Sequence, residues 1–368
     1  MPRVMAPPGP GLLGLFPSMA ADRIGGIETS GRLAWQGIAD FPGRPGEREG
    51  LSPYLFCYER LAEAGSGLGR RYFAHTRSKL RTVMAALDVP NHFLRALVWH
   101  IDLLKLLPCF DLSGAKVALF LHGVEAWRSQ RWSTRFLLRR VQLFLSNSDF
   151  TWQRFLAFNP GFEHTPHITV PLGVDVIDDG PALPPRDPPA ILMLGRLSSS
   201  EDYKGHREMI QAWPFVLKRI PRAELWIAGD GSLRADLQAM IRSSALDERV
   251  RFWGEVSEAQ KQDLLAQCSA LALPSRGEGF GVVYLEAMRL GRPCLVSTID
   301  AGREVVNPPE AGLAVHPENL SELAQAVCRL VTPGPEWEQW SAQARRRYAR
   351  YFTAEKFQQR LLSALLEV

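Results

Sequence analysis

The run Ser275-Arg276-Gly277-Glu278-Gly279-Phe280-Gly281-Val282-Val283-Tyr284-Leu285-Glu286 holds the residues whose types and spacing most plainly suit chemistry. Glycines on either side of Phe280 let backbone N–H groups approach a ligand with no Cβ atoms in the way. The run follows an apolar stretch and opens a helical pattern. The first N–H groups of a helix and its positive dipole end suit a diphosphate. Glu278 falls in the loop and Glu286 in the second helical turn, so both carboxylates can border one pocket at the helix mouth. A carboxylate pressed against phosphate would be repelled, so each glutamate fits there only as an acceptor for hydroxyls flanking the diphosphate. The plainer alternative is an ordinary strand–loop–helix turn with solvated glutamates, and a Gly-rich turn by itself favours that alternative.

Three other features shift the balance. Arg196 follows Gly195 at the end of an apolar run, and Lys204 comes just before a helical pattern. Two cations on one strand-to-helix loop suit a leaving diphosphate, Arg as a bidentate fork and Lys as a point charge. Either residue alone would read as surface charge. His122, in Leu121-His122-Gly123, ends an apolar run, where a parallel strand meets its ligand crevice. A lone histidine there is more often structural. Gly26, in Gly25-Gly26-Ile27-Glu28, lies in the first loop, where paired glycines can bring N–H groups to a phosphate.

These positions require a scaffold that brings loops together. Short apolar runs alternate with longer helical patterns, the arrangement of β-α units around parallel sheets. Strands are expected at 12–16, 54–57, 96–99, 116–121, 143–146 and 168–170, then at 190–194, 224–228, 250–253, 270–273 and 293–297. Helices are expected at about 206–220, up to 243, at 259–267, up to 290, and from 335 to the end. The segment 178–189 holds five prolines in twelve residues, and proline cannot donate to a ladder. It is read as a linker between an amino-terminal domain, 1–177, and a carboxyl-terminal domain, 190–345. A last helix, 346–368, is expected to return to the first domain.

Bulk properties agree with a folded two-domain protein: 368 residues, 46% apolar and 22% charged. Through residue 180 there are 20 Lys/Arg against 16 Asp/Glu, and from Gly69 to Arg140 there are 13 against 4. That excess suits an anionic partner such as a membrane surface, a lipid diphosphate or nucleic acid. Five scattered cysteines with no C-x-x-C pair suggest a reducing compartment, neither a disulfide framework nor a zinc site. No apolar run reaches the ~18 residues of a membrane span, and no signal peptide is read at the start. Cytoplasmic placement is expected, with peripheral attachment to the inner face of the cell membrane. The stretch Trp127–Leu145 interleaves five arginines with aromatic and aliphatic residues. It reads as a helix lying on an anionic surface, or as one that buries its apolar stripe and wets its arginines.

The set resembles the retaining glycosyltransferases of family 4. The resemblance covers Met193 to Glu304, including Trp226–Gly231 and Phe252-Trp253-Gly254, and is patchier in the first half at Gly25–Glu28, His122-Gly123, Ser146–Ser148 and Val170–Asp175. Glu278 and Glu286 match the family's E-x7-E motif. Two departures are Leu172 in place of the usual asparagine and a longer loop at Ser198–Lys204. The resemblance implies an α/β GT-B fold of two facing Rossmann-like domains. It further implies a hexosyltransferase that takes a GDP- or UDP-sugar donor and hands the sugar, mannose as first choice, to a glycan or lipid-linked acceptor in cell-surface polysaccharide synthesis. Arg196 and Lys204 would neutralise the leaving diphosphate. Glu278 with the backbone of Phe280, Gly281 and Val282 would hold the sugar, Glu286 the ribose. His122 would contact the transferred sugar and Gly26 would lie near the phosphates. No cofactor and no metal are expected, since no Asp-x-Asp motif is present.

Other enzyme classes fit less well. A phosphorylase needs a pyridoxal lysine and a longer chain, and an epimerase a different acid/base set. A non-catalytic nucleotide- or nucleic-acid-binding protein would use the basic first half. It lacks a nucleic-acid-reading motif and leaves the two glutamates without a role.

Overall fold

The computed structural model describes residues 11–19, 25–41, 52–57, 72–74, 78–87, 89, 93–176, 184 and 186–367. The chain forms two compact units, the first of residues 1–174 with 354–368, the second of 175–353. The first division thus falls ahead of the expected 178–189 linker, most of which lies outside the described residues. The last crossing falls at Thr353/Ala354, beyond the expected start at 346.

Among the described residues, the first unit holds a parallel sheet of seven strands: β1 (Gly11–Phe16), β2 (Ser52–Cys57), β3 (Tyr72–Ala74), β4 (Phe93–Val98), β5 (Lys116–Leu121), β6 (Leu143–Ser146) and β7 (His167–Thr169). Their order is β3-β2-β1-β4-β5-β6-β7. The chain moves outward from β1, then returns to the other side of β1 to lay down β4. That reversal leaves a crevice at the carboxyl ends of β1 and β4. The helices are α1 (Gly26–Ala39), α2 (Lys79–Leu87), α3 (Trp132–Leu138) and α4 (Asp149–Phe158), with a 3-10 stretch at Ile101–Cys109. The central strands are buried on both faces, as β1 (all six residues buried) shows, so they read as continuous apolar runs.

The second unit holds a six-stranded parallel sheet: β8 (Ala190–Leu194), β9 (Glu224–Ala228), β10 (Val250–Gly254), β11 (Ala270–Leu273), β12 (Cys294–Ser297) and β13 (Gly312–Val315), in the order β10-β9-β8-β11-β12-β13. Here the reversal falls between β8 and β11. Its helices are α5 (His206–Leu217), α6 (Arg234–Ser243), α7 (Glu258–Gln267), α8 (Val282–Arg289), α9 (Gly302–Val306), α10 (Leu320–Val331) and α11 (Pro335–Tyr351). The final helix, α12 (Ala354–Leu366), belongs to the first unit. Gln358 donates there to Leu33 O at 2.9 Å, and Arg360 to Pro171 O at 3.0 Å.

Glycines shape the carboxyl ends of β8 and β9. Gly229 (φ +136°) and Gly231 (φ +150°) hold left-handed conformations, and a Cβ at either would strike the backbone of Gly195 or Leu197. The loop that carries Arg196 therefore packs directly on the Gly229-Asp230-Gly231 turn. An alanine at either glycine would meet both backbone strain and a clash.

Candidate functional site

In the second unit, the loops that leave β8 and β11 meet at the strand-order reversal. The first runs from Gly195 through a 3-10 turn at Ser199–Lys204, capped by Ser198, whose side chain accepts from Ser200 N. This turn accounts for the long Ser198–Lys204 loop. Ser199 N donates to Ser232 Oγ at 3.0 Å, which ties the turn to the β9 side. Lys204 Nζ lies 2.7 Å from Glu201 Oε2, and Arg196 Nη2 pairs with Glu201 Oε1. The Lys204 side chain is 15% exposed and that of Arg196 77%. Lys204 lies over Gly195, where a Cβ would sit 3.2 Å from Nζ. Glycine at 195 thus keeps room for the ammonium.

The second loop brings Glu278. Arg276 N donates to Tyr203 O at 2.8 Å and Arg276 Nη2 to Asp202 O at 3.2 Å, while Arg276 Nη1 pairs with Glu208 on α5. One arginine therefore joins the Glu278 loop to the Lys204 turn. Ala301 N donates to Glu278 O at 3.1 Å, and Asp300 accepts from Gly302 N at 2.9 Å and from Glu278 N at 3.4 Å. Burial raises the Glu278 pKa; the Lys204 charge pulls it back, the Glu201 charge raises it, and the N–H groups of Gly279 and Phe280 oppose the rise. Asp300 is pushed up to about 8, chiefly by burial and then by the Glu278 charge. Glu278, Asp300 and Glu201 thus share this corner with Lys204 and Arg303, an arrangement that suits a carboxyl group meeting hydroxyls.

Gly281 precedes α8 at φ +83°, and a Cβ there would come within 2.3 Å of the Tyr284 ring. That ring is fixed, because Tyr284 Oη donates to Leu273 O at 3.0 Å. Phe280 is buried, edge-on to Phe352 at 6.1 Å. Val282 is the first residue of α8. The helix start therefore presents its first N–H groups beside Glu278, as an anion site requires.

Glu286 is placed differently from Glu278. Lys261 Nζ on α7 lies 2.7 Å from its Oε1 and 2.8 Å from Glu258 Oε2. Burial raises the Glu286 pKa and Lys261 opposes the rise. Burial disfavours charge on Lys261, but Glu286 and Glu258 outweigh it and its pKa is raised. One Glu286 oxygen is thus committed to a lysine, and Glu278 is not among the charges that act on it.

His122 and Gly26 lie in the first unit. His122 follows β5, and its ring sits 4.9 Å from that of Trp99 and 4.8 Å from that of Phe120. Trp99 O lies 2.6 Å from His122 Nε2 and can only accept, so Nε2 carries the proton. Nδ1 makes no hydrogen bond among the described residues and is left as an acceptor. Burial lowers the His122 pKa to about 4, against Glu125 and the Trp99 carbonyl. Glu125 Oε1 accepts from the backbone N–H of His122 (2.6 Å) and Gly123 (3.1 Å), which pins the turn. Gly26 begins α1 and does not lie in a loop. No side chain caps that helix, and Gly25 leaves room for the Glu28 carboxylate, which a Cβ would meet at 2.2 Å. Trp99 Nε1 donates to Ile27 O at 3.0 Å. Trp99 thus joins the start of α1 to His122 across the crevice between β1 and β4.

Residues that the sequence did not single out include Glu201, Asp300, Arg276 as a tether, Lys261 and Trp99. Glu201 carried one signal, an acid three positions before a basic residue at a turn.

In the first unit, α3 covers only Trp132–Leu138 of the arginine-rich stretch. Leu138 is buried, but Trp132 is 84% exposed and Phe136 64%. Arg128, Arg131, Arg139 and Arg140 are exposed around them. Leu80, Met84 and Leu87, on one face of α2, are exposed as well. Trp127, Leu137 and Leu138 thus pack against the core, while Trp132 and Phe136 between them stay exposed. Among the described residues, no helix is long and apolar enough to cross a membrane.

Known proteins resemble this chain at the level of family, of individual relatives and of solved structures. Residues 188–333 match the family described as glycosyl transferases group 1. The chain is 34% identical over 166 residues to the phosphatidyl-myo-inositol mannosyltransferase of Mycobacterium tuberculosis, covering 43% of each chain. It is 28% identical over 241 residues to a GDP-mannose-dependent monoacylated alpha-(1-6)-phosphatidylinositol monomannoside mannosyltransferase of Corynebacterium glutamicum, covering 59% of this chain and 61% of the relative. Matches to the curated relatives span from 36% to 61% of their length. Among solved structures, Anabaena HepE in complex with UDP and glucose aligns with a TM-score of 0.73 at 16% identity, covering 97% of this chain and all of that one.

Proposed function

With residues 188–333 matching the family described as glycosyl transferases group 1 and the chain having the GT-B fold, we propose that it is a retaining glycosyltransferase. It moves a hexose from a nucleotide-diphospho-sugar to a glycan or lipid-linked acceptor. The observation that carries this reading is the meeting of Arg196, Lys204 and Glu278 at the β8/β11 reversal. Arg196 and Lys204 meet the charge that develops on the diphosphate as the sugar–oxygen bond breaks. The first N–H groups of α8 do the same from the other side. Such preorganised groups stabilise a transition state more than a ground state. Glu278 accepts hydrogen bonds from hydroxyls of the transferred sugar, and Glu286 accepts from the ribose through the oxygen that Lys261 leaves free. Neutral His122 offers Nδ1 as an acceptor for a sugar hydroxyl, and Gly26 offers its backbone N–H to a phosphate. The acceptor attacks on the side from which the diphosphate leaves, so configuration is retained. The protein's own cations offset the diphosphate, and the reaction needs no metal.

A mannosyl donor carrying GDP is the first choice, the mannose from the names of both relatives above and the GDP from that of the Corynebacterium glutamicum one; UDP-hexose is the second, from the ligands of the HepE structure. The exposed Trp132 and Phe136 with their surrounding arginines support an acceptor met at an anionic membrane surface on the cytoplasmic side. A nucleic-acid-binding role would leave the Glu278 corner without a purpose. The test is a panel of GDP- and UDP-sugars, read by donor hydrolysis and by thermal stabilisation. Turnover and stabilisation by one donor class, with none by oligonucleotides, is expected. Stabilisation by oligonucleotides alone would overturn the reading.

A further inference from the structure

We propose that Glu201 is an internal counter-ion that occupies the diphosphate-binding cations before a diphosphate arrives, and so sets how loosely the departing nucleotide is held. The inference rests on the donor-site reading above. Glu201 sets its two carboxylate oxygens against two separate cations, Arg196 on one side and Lys204 at 2.7 Å on the other. A pair of phosphate oxygens would make the same two contacts. The side chain is only 13% exposed, and the turn that carries it is fixed from several directions. Glu201 N donates to Ser198 O at 2.8 Å, Ser199 is bound to Ser232, and Arg276 holds Asp202 O and Tyr203 O. At Glu201 itself the backbone leaves helical values (φ −116°, ψ 22°), the one break inside the turn.

The two cations differ in freedom. Lys204 lies largely buried against Gly195, whereas Arg196 is mostly solvent-exposed. An incoming diphosphate therefore takes Arg196 away from Glu201 first, then shares Lys204 with it. A carboxylate left beside the bound diphosphate repels it. The pairing also keeps Lys204 from being a buried, unpaired charge while the donor is absent, a state that would be costly. The site gives up some diphosphate affinity, and the product leaves faster.

Isothermal titration of inorganic pyrophosphate, UDP and GDP into wild type and Glu201→Gln tests this. Glutamine keeps the side chain's length and removes its charge. Pyrophosphate binding is expected to tighten roughly tenfold, the change that about 1.4 kcal/mol produces. Inhibition by the nucleoside diphosphate should strengthen in parallel. Structural damage does not produce such a gain. Equal or weaker binding by a folded Glu201→Gln protein overturns the inference while leaving the donor site intact. A wild-type protein that binds no pyrophosphate overturns the donor-site reading itself. A wild-type crystal soaked with pyrophosphate gives a readout free of any variant. Arg196 turned from Glu201 to the anion is expected, and an intact Arg196–Glu201 pair beside bound pyrophosphate overturns the inference.

Discussion

His122 donates its Nε2 proton to the carbonyl oxygen of Trp99 across 2.6 Å, and Trp99 donates its own Nε1 proton to Ile27 O at 3.0 Å. The relationship fixes the tautomer of a histidine that burial holds neutral, with its pKa lowered to about 4. The unfolded chain takes up that proton near pH 6.5. The contribution from a neutral His122 is therefore complete above 6.5 and is lost as pH falls through about 4. Urea unfolding at pH 7 and pH 4.5 should show a smaller acid loss for His122→Asn than for wild type, by roughly 2 kcal/mol. His167 and His206, also lowered to about 4, leave a residual slope in the variant. Identical slopes in the two proteins would contradict a neutral His122.

Asp300 runs the opposite way. Its pKa is raised, to about 8, so the folded protein holds a proton that the unfolded chain releases near pH 4. Stability should therefore fall as pH rises from about 4 through about 8 on this account. Asp300→Asn keeps an acceptor for the N–H groups of Gly302 and Glu278 and cannot ionise. Melting curves across that range should decline less for the variant, and above pH 8 the variant should be the more stable protein. A wild type with no decline from this source would show Asp300 to be ionised throughout.

Glu278→Gln should lower kcat about 100- to 1,000-fold, the usual loss for one preorganised group. Nucleoside-diphosphate binding should change only a few-fold, because the cations and the α8 N-terminus are untouched. Steady-state kinetics with the preferred donor, alongside product titration, separates the two effects. Full activity would move the sugar site elsewhere.

Lys204→Met and Arg196→Gln should both weaken nucleoside-diphosphate binding, Lys204→Met by more. Lys204 is largely shielded from water and keeps most of its electrostatic strength, whereas exposed Arg196 is screened. Titration in EDTA should give unchanged wild-type affinity. A loss that Mg²⁺ restores would contradict the metal-free reading.

Vesicle binding tests the α3 surface. Trp132→Ser with Phe136→Ser, and separately Arg131, Arg139 and Arg140 changed to Gln, should each reduce sedimentation with phosphatidylglycerol vesicles. Neither set should alter binding to neutral ones. Unchanged sedimentation in both would remove the membrane from the account.

Much of the second unit was legible in the residues. The expected strands at 190–194, 224–228 and 270–273 coincide with β8, β9 and β11, because buried parallel strands read as unbroken apolar runs closed by glycine or proline. The expected helix from 335 breaks into α11 and α12 near Phe352. Strand β13 went unread, since its Gly312-Leu313-Ala314-Val315 run is short and half-buried. The start of α1 was hidden too, because a glycine stands where a capping side chain would announce it. In the site, Arg196, Lys204 and Glu278 were readable because each lies in one short loop after one strand. Asp300 reaches Glu278 only because β11 and β12 are neighbours, and Lys261 reaches Glu286 only because α7 packs on α8. Such pairings are set by tertiary packing and leave no local pattern.

The most direct measurement is a crystal structure of the wild-type protein with its preferred nucleoside diphosphate bound. The phosphates are expected within hydrogen-bond distance of Lys204, Arg196 and the N–H groups at the start of α8, with the ribose toward Glu286. A nucleotide seated away from the β8/β11 reversal, with Lys204 and Glu278 untouched, would contradict it.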